Sequence, residues 1–238
     1  MSLTTSLVGR PILIDDDCPS SGGSWQTLDR NGNTTIGEPE ALAYVFQRLL
    51  TMSSPVMYDV GASSGVYCLL AAFIPSMRVF AFEPAAEAFR LLRSNLFLNG
   101  LQESVRAFNL AISDTDADAT LKMPGNPGES GLATLGTPKR FGGAREVPCI
   151  TNRLDSMELE APNLIKIDTE GCELKVLLGA EQTIRRYRPE IIFEYNPINS
   201  SQFDYHPKEV LALLIDWGYK SFLKLDAENI YCRWEEYV

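Results

Sequence analysis

The chain has 238 residues, and its 21 Lys and Arg against 31 Asp and Glu leave a formal net charge of -10. At 45% hydrophobic and 22% charged residues it can bury an ordinary core, which excludes intrinsic disorder, collagen and small disulfide-rich scaffolds. The acidic balance argues against a protein whose main task is to grip nucleic-acid phosphates, because that task needs a basic surface.

Cysteine usage and the N-terminus indicate the compartment. The five cysteines are widely spaced and form no Cys-x-x-Cys pair, so neither a disulfide framework nor a zinc cluster is suggested. The N-terminus lacks a basic segment followed by a long apolar stretch, and the longest apolar run, residues 66–74, falls short of the roughly 18 residues that span a bilayer. We therefore expect a cytoplasmic protein without a signal peptide, and neither a membrane nor a nucleic acid as partner.

Residues 1–54 stand outside the regular pattern of the chain and are predicted to be an N-terminal extension. They end in a predicted helix, residues 38–50, which we expect to pack on the core. The main domain is predicted to comprise residues 55–238.

From residue 55 onward, apolar runs of strand length alternate with stretches of helix length. The predicted strands are residues 56–60, 78–83, 105–110, 163–168 and 190–194. The predicted helices are residues 65–74, 85–98, 172–187 and 206–217, and a closing antiparallel hairpin is predicted from residues 219–225 and 229–234. This alternation indicates βαβ units, and hence a doubly wound, Rossmann-like α/β fold with a mainly parallel sheet of about seven strands. The Gly/Pro-rich stretch 124–143 is too long for a plain connector and is predicted to be a functional loop or lid.

The segment DVGASSG, residues 59–65, follows the first strand of the main domain and opens the next predicted helix. Glycines there let the backbone approach a nucleotide-like ligand, although a glycine turn can also be a mere tight connection. Glu83 ends the second strand, where a carboxylate can accept hydrogen bonds from both hydroxyls of a ribose. The alternative is a solvated carboxylate that caps the next helix, which Pro84 also allows. Together the two features favour adenosine binding.

At this point the residues resemble a known family. DVGASSG, VFAFEP (79–84), LAISD (110–114), RLD (153–155), LIKIDTEGCELKVLLGAEQTI (164–184) and RPEIIFE (188–194) resemble the FkbM family of S-adenosylmethionine-dependent methyltransferases. The resemblance covers roughly residues 56–194. It implies a class I methyltransferase fold with seven strands, the last antiparallel, and O-methylation of a hydroxyl on a sugar, polyketide or similar metabolite.

The resemblance also implies positions for the cofactor, S-adenosylmethionine. Asp59, Gly61 and Gly65 would line its methionine end, Glu83 would hold its ribose, and Ser113 and Asp114 would lie near its adenine. Ala62, Ser63, Pro84 and Asp168 belong to the same motifs and are included in the predicted cofactor site. An Asn usually follows the Ala in this family, and here Ser63 stands in its place.

The candidate catalytic residues lie at the end of the fourth strand. Asp168 and Glu170 are two positions apart, and two close carboxylates push their pKa values apart, which suits one of them to remove a hydroxyl proton. They could equally bind a divalent metal that acidifies the hydroxyl, although no metal site is predicted. Alternatively, Glu170 belongs to the turn and cap of the next helix. His206, which is the one imidazole of the chain, is a further candidate base, and its alternative is a surface residue.

Substrate contacts are predicted from Glu194 and Asn196, at the end of the fifth strand. Lys166, inside the fourth strand, is expected to reach the sheet edge or to pair with an acid. The glycine-rich loop is flanked by Lys139, Arg140 and Arg145. These cations either belong to a solvated loop or form a site for a phosphate or acidic group of the substrate.

The leading hypothesis is an S-adenosylmethionine-dependent O-methyltransferase that acts on a small-molecule or glycan acceptor. One alternative is an NAD-dependent oxidoreductase, which the absence of G-x-G-x-x-G disfavours. Another is a non-catalytic methyltransferase-like binding module. The identity of the acceptor is left open, as is a homodimer.

Overall fold

The computed structural model describes residues 2–15, 27–28, 34–35, 38–125 and 132–235. Its strands, in chain order, are β1 Ser2–Leu7, β2 Arg10–Asp15, β3 Thr27–Leu28, β4 Thr34–Thr35, β5 Val56–Val60, β6 Arg78–Phe82, β7 Val105–Phe108, β8 Ala111–Ile112, β9 Ala117–Met123, β10 Arg145–Asn152, β11 Leu164–Ile167, β12 Glu190–Glu194, β13 Tyr219–Lys224 and β14 Asn229–Trp234. Its α-helices are α1 Pro39–Leu50, α2 Ala86–Leu98, α3 Glu173–Gly179, α4 Glu181–Tyr187, α5 Pro197–Ser200 and α6 Lys208–Asp216.

Seven strands form the main sheet, in the order β13-β14-β12-β11-β5-β6-β7. Five strands, β12, β11, β5, β6 and β7, are mutually parallel. Strand β14 runs antiparallel to both of its neighbours, β12 and β13. The prediction of a doubly wound α/β sheet with about seven strands and an antiparallel last strand is confirmed. The carboxyl ends of β5, β6, β11 and β12 therefore meet at one edge of the sheet.

Helices cover both faces of the sheet, because its central strands are apolar throughout. All residues of β5, β11 and β12 are buried. One core cluster includes Leu42 and Leu49 of α1 and Leu92 of α2. The cluster on the other face includes Val176 of α3 and Val210 of α6. Burial on both faces explains why these strands read as continuous apolar runs in the sequence.

The helix predicted for residues 65–74 is reduced to a 3-10 helix, Cys68–Phe73. Gly65 adopts φ +95°, a conformation that no helix residue has, and an added Cβ there would come within 2.5 Å of Leu92 Cδ1. The chain therefore turns tightly at Gly65, and the helix that follows is limited to about two 3-10 turns.

The single helix predicted for residues 172–187 is two helices, α3 and α4. Ala180 breaks the helix with φ -117° and ψ 10°. Asp155, from the RLD motif, then caps α4, because its carboxylate accepts hydrogen bonds from the N–H groups of Gln182 and Thr183 at 3.0 and 2.9 Å. This motif thus has a structural task in the described fold.

Three small sheets in the described part of the chain were not predicted. β8, β10 and β9 form a three-stranded sheet, and the pairs β1-β2 and β3-β4 are each antiparallel. Most residues of β9 and β10 are exposed or half-buried, so their apolar pattern is weak. Of the predicted loop 124–143, which joins β9 to β10, residues 126–131 lie outside the described part of the chain. The predicted division at residue 54 stays a prediction, while Leu7, Ile12 and α1 share one core with the sheet.

Within the described ranges, no helix combines the length and the apolarity that a bilayer crossing requires.

Candidate active site

A cavity of about 230 Å³ lies at the carboxyl edge of the main sheet. Nine of the predicted site residues line it, namely Asp59, Gly61, Ala62, Ser63, Glu83, Pro84, Asp168, Glu170 and Glu194. Among the described residues the lining contains two cationic side chains, Arg140 and Lys166, and seven carboxylates, which are those of Glu38, Asp59, Glu83, Asp168, Glu170, Glu194 and Glu228. The cavity is therefore strongly acidic.

The loop after β5 forms one wall of the cavity and needs a glycine to do so. Gly61 has φ +81°, and a Cβ on it would lie 1.7 Å from the backbone oxygen of Asp168. Its N–H and that of Ala62 both donate to the Phe82 carbonyl, at 2.9 and 3.0 Å. Only glycine lets this loop pack against the end of β11 while its backbone faces the cavity.

Glu83 joins the loop after β5 to the start of α2. The residue is 6% exposed, and its carboxylate accepts hydrogen bonds from the N–H groups of Ser63 and Ala85, both at 2.8 Å. Burial raises its pKa to about 7, against these two hydrogen bonds. Each carboxylate oxygen can accept a further hydrogen bond, so the group can close the loop and still bind a ligand hydroxyl.

Lys166 is a buried cation near two acidic residues, Asp168 and Asp59. Its side chain is 2% exposed, with Nζ 2.9 Å from Asp168 Oδ2 and 4.6 Å from the centre of the Tyr67 ring. Burial lowers its pKa, but Asp168 and the other anions raise it more, so Lys166 stays charged. Asp59, buried beside them, accepts a hydrogen bond from the Cys68 thiol at 3.1 Å, and burial raises its pKa to about 6.

Glu170 lies at a left-handed turn, with φ +53°, and its carboxylate is paired with Arg140 at 3.1 Å. Arg140 also donates to Asn199 Oδ1 at 3.3 Å. Burial and the charge of Asp168 raise the pKa of Glu170 to about 8, although Arg140 opposes the shift. A carboxylate with such a pKa gains and loses its proton near neutral pH, as a general base requires.

Glu194 is held by the segment that follows β12. Asn199 Nδ2 donates to both of its carboxylate oxygens, at 3.0 and 2.9 Å, and Asn196 Nδ2 lies 3.4 Å from one of them. Burial raises the pKa of Glu194 well above its usual range. The Asn196 side chain caps α5 by accepting the N–H of Ile198 at 3.0 Å, and it is not part of the cavity lining.

Four further predicted residues are not brought to the cavity lining. His206 is exposed, its Nδ1 accepts the N–H of Lys208 at 3.1 Å, and its ring meets the Tyr195 ring edge-on. Ser113 donates to Asp114 at 3.1 Å beside the cavity, next to Ala111 and Ile112, which do line it. Gly65 lies behind the loop, against Leu92.

Gln202, from the segment after β12, links residues 137 and 139 of the predicted loop to the turn at Glu170. Gln202 is 4% exposed, and its Nε2 donates to the Glu170 carbonyl at 3.1 Å. Its carbonyl accepts the N–H of Thr137 at 2.9 Å, and its Oε1 accepts that of Lys139 at 3.2 Å. Leu132, Ala133, Leu135 and Arg140 form part of the cavity wall, so this part of the predicted loop does border the site.

Sequence reasoning missed four polar residues of the site, namely Glu38, Tyr67 and Glu228 in the cavity lining and Asn199, which holds Glu194. For Arg140 it had not decided between a residue of a solvated loop and a contact for an acidic group. The expectation for Lys166, a pair with an acid, is met by Asp168. A lysine inside an apolar strand is a visible signal, whereas nothing in the sequence around Glu38 shows where its carboxylate points.

The chain is similar to known methyltransferases. The model of the methyltransferase FkbM domain matches residues 59–221. Methyltransferase sdnD of Sordaria araneosa is 30% identical over 160 residues, which cover 55% of this chain and 62% of that protein. The 2-O-methyltransferase NoeI of Sinorhizobium fredii is 28% identical over 158 residues, which cover 59% of this chain and 63% of that protein. The chain thus spans less than two thirds of the length of these relatives.

Among solved structures, the crystal structure of precorrin-6y C5,15-methyltransferase from Geobacter metallireducens superposes with a TM-score of 0.51 at 16% identity. The alignment covers 93% of this chain and 98% of that one. At this identity the likeness concerns the fold alone, and it confirms the predicted Rossmann-like methyltransferase fold class.

Proposed function

The chain belongs to the FkbM methyltransferase family, and from this we propose that it transfers a methyl group from S-adenosylmethionine to a hydroxyl of a small metabolite or sugar. The observation that carries the proposal is the shared edge of the sheet. There the glycine loop after β5 and the buried Glu83 face the same cavity as Asp168 and Glu170. A cofactor pocket and a pair of titratable carboxylates in one cavity suit transfer to an acceptor that must lose a proton.

The residues present fit the cofactor. Gly61 lets the loop after β5 pack against the end of β11 while its backbone lines the cavity, and Glu83 has spare acceptor capacity for ribose hydroxyls. The acidic lining suits a ligand with a net positive charge. When bound, S-adenosylmethionine supplies a methyl group on a positively charged sulfur. Asp59, Ala62, Ser63 and Pro84 would complete the pocket, with Ser113 and Asp114 beyond Ile112 near the adenine.

We assign the base to Glu170. With a pKa of about 8 it can accept the hydroxyl proton at Oε1 or Oε2, while Arg140 holds the carboxylate in place. Asp168, which is paired with Lys166, raises the pKa of Glu170 and so maintains its basicity. His206 has no part in this proton transfer, because it is exposed and is not in the cavity lining.

The acceptor is a hydroxylated small molecule in this proposal. The name of the relative NoeI, a 2-O-methyltransferase, supports an oxygen acceptor. Glu194, fixed by Asn199, adds a second carboxylate that can accept hydrogen bonds from acceptor hydroxyls. Leu132, Ala133 and Leu135 provide an apolar wall that keeps water out.

The first test is isothermal calorimetry of the purified chain with S-adenosylmethionine, S-adenosylhomocysteine and NAD. We expect micromolar binding of the two adenosyl ligands and none of NAD. Labelled methyl transfer to a panel of neutral, acidic and amino sugars then identifies the acceptor class. Binding of NAD alone, or of none of the three ligands, would contradict the proposal.

A further inference from the structure

Glu38 comes from the segment before the main domain, yet its carboxylate lines the cavity. Its backbone has φ +58° and ψ +46°, the left-handed conformation, directly before Pro39 in the first turn of α1. The carbonyl of Glu38 accepts the N–H of Leu42 at 3.0 Å, which anchors the residue to the helix. A non-glycine residue held in this conformation is strained, and such strain is found mainly at functional positions.

The side chain of Glu38 does not serve the helix it precedes. It makes no capping hydrogen bond to α1. Instead its Oε2 accepts the hydroxyl proton of Tyr67 at 3.0 Å. Tyr67 also lines the cavity, and its ring carries Lys166 on one face. Glu38 is thus oriented toward the cluster of Asp59, Lys166 and Asp168 rather than toward solvent.

This cluster has more negative charge than its one cation can balance. Burial raises the pKa of Glu38, and Lys166 lowers it only in part. Lys166 is already bound to Asp168 at 2.9 Å, and the other cation in the lining, Arg140, is bound to Glu170. Nearby, Asn229 Oδ1 is a buried acceptor that receives no hydrogen bond from the described residues. A cationic group with several N–H donors is the ligand that such surroundings favour.

Resting on the proposed function, we infer that Glu38 binds the α-ammonium group of the methionine part of the cofactor. Its contacts differ from those of Glu83, which is held by Ser63 and Ala85 at the ribose end. The two carboxylates therefore recognise different parts of one ligand. Glu38 acts as a cofactor-binding residue supplied by the N-terminal segment, which gives that segment a task in the site.

The experiment compares two ligands that differ at one group. Calorimetry of the full chain measures the affinity for S-adenosylhomocysteine and for its deaminated analogue, in which hydrogen replaces the α-ammonium. We expect Glu38→Gln to weaken the first by about tenfold or more, the worth of a hydrogen bond between charged groups. The same variant should leave the affinity for the deaminated analogue within about twofold.

Glu40→Gln is the matched control, because Glu40 is an exposed glutamate in the first turn of the same helix. It should leave both affinities unchanged. Tyr67→Phe removes the hydroxyl that orients Glu38. It should selectively weaken the binding of S-adenosylhomocysteine, by less than Glu38→Gln does, and it is the test if Glu38→Gln does not fold. An equal loss for both ligands, or no loss, overturns this inference while the proposed function stands. Failure of the unaltered chain to bind S-adenosylhomocysteine overturns both.

Discussion

Glu83 combines two tasks in a single buried carboxylate. It accepts the N–H groups of Ser63 and Ala85 and so ties the loop after β5 to the start of α2, while it also lines the cavity. From the sequence, a ribose ligand and a capping carboxylate were alternatives. In the structure the carboxylate is buried rather than solvated, it accepts the N–H of Ala85 directly before α2, and it still has acceptor capacity toward the cavity.

For Glu83→Ala we expect the affinity for S-adenosylhomocysteine to fall by about tenfold to a hundredfold, since hydrogen bonds to a charged group are lost. Calorimetry measures the affinity, and circular dichroism confirms the fold. Glu87→Ala is the control, because Glu87 is an exposed glutamate of the same helix α2, where it pairs with Arg145 at the surface. An unchanged affinity in Glu83→Ala would remove Glu83 from the cofactor site.

Glu170 should give the reaction its dependence on pH. A base works only when deprotonated, so kcat is expected to rise with pH through about 8, the pKa to which burial and Asp168 raise this carboxyl. Glu170→Gln should lower kcat by about a hundredfold and abolish that rise, with cofactor affinity preserved. Arg140→Met should move the inflection to higher pH, because Arg140 lowers the pKa of Glu170.

The measurement is the pH profile of kcat with the acceptor that the sugar panel identifies. Glu103→Gln, a change of an exposed glutamate with no part in the cavity, should leave the profile unchanged. A profile that keeps the same inflection in Glu170→Gln would assign the base to another residue.

At the level of elements, the site is made by loops that follow parallel strands, and their closeness rests on particular glycines. Gly61 allows the loop after β5 to contact the end of β11. Gly171 allows the loop after β11 to contact Asn199, because a Cβ on Gly171 would lie 2.2 Å from the Asn199 backbone oxygen. Both glycines have positive φ values. These loops therefore pack backbone to backbone, with no space left for a side chain.

Gly61→Ala should lower the free energy of unfolding by about 2 kcal/mol or more, because its Cβ would overlap the Asp168 carbonyl and φ is +81°. It should also abolish cofactor binding. Urea denaturation and calorimetry measure the two effects. Gly100 has φ +66° but open space around it, so Gly100→Ala should lower the free energy of unfolding by about 1 kcal/mol through backbone strain alone. Gly142 also faces open space, and Gly142→Ala should leave the free energy of unfolding unchanged. Equal stability of Gly61→Ala and Gly142→Ala would refute the close packing.

At the level of the whole molecule, buried acids make stability depend on pH. Burial raises the pKa of Asp59 to about 6, of Glu83 to about 7 and of Glu170 to about 8. An acid whose pKa is higher in the folded state binds more protons folded than unfolded, so its contribution is complete at low pH and is lost as pH rises through the folded value.

We therefore expect the free energy of unfolding of the ligand-free chain to fall between pH 5 and pH 8, with Glu83 alone contributing about 3 kcal/mol of the change. Urea denaturation at unit pH intervals measures the slope. Glu83→Gln, neutral at every pH, should reduce it, and Glu87→Gln should not. A stability that stays level or rises over this range would show that these acids are ionised without cost in the fold.

The sequence by itself determined the main sheet and the family. Runs of apolar residues such as β5, β11 and β12 are local signals, and burial on both faces made them easy to recognise, as did the glycine turn and strand-end acids beside them. The exposed strands β9 and β10 gave no such signal, because packing on one side imposes little on composition.

Only the tertiary structure decided which side chains share the cavity. Glu38, Arg140 and Glu194 are separated from one another by more than 50 residues of chain, and they line one cavity only because the sheet edge gathers their loops. The same packing leaves His206 exposed on the surface. Sequence spacing sets where a strand or helix begins, but the direction of a side chain at its end is fixed by what packs against it.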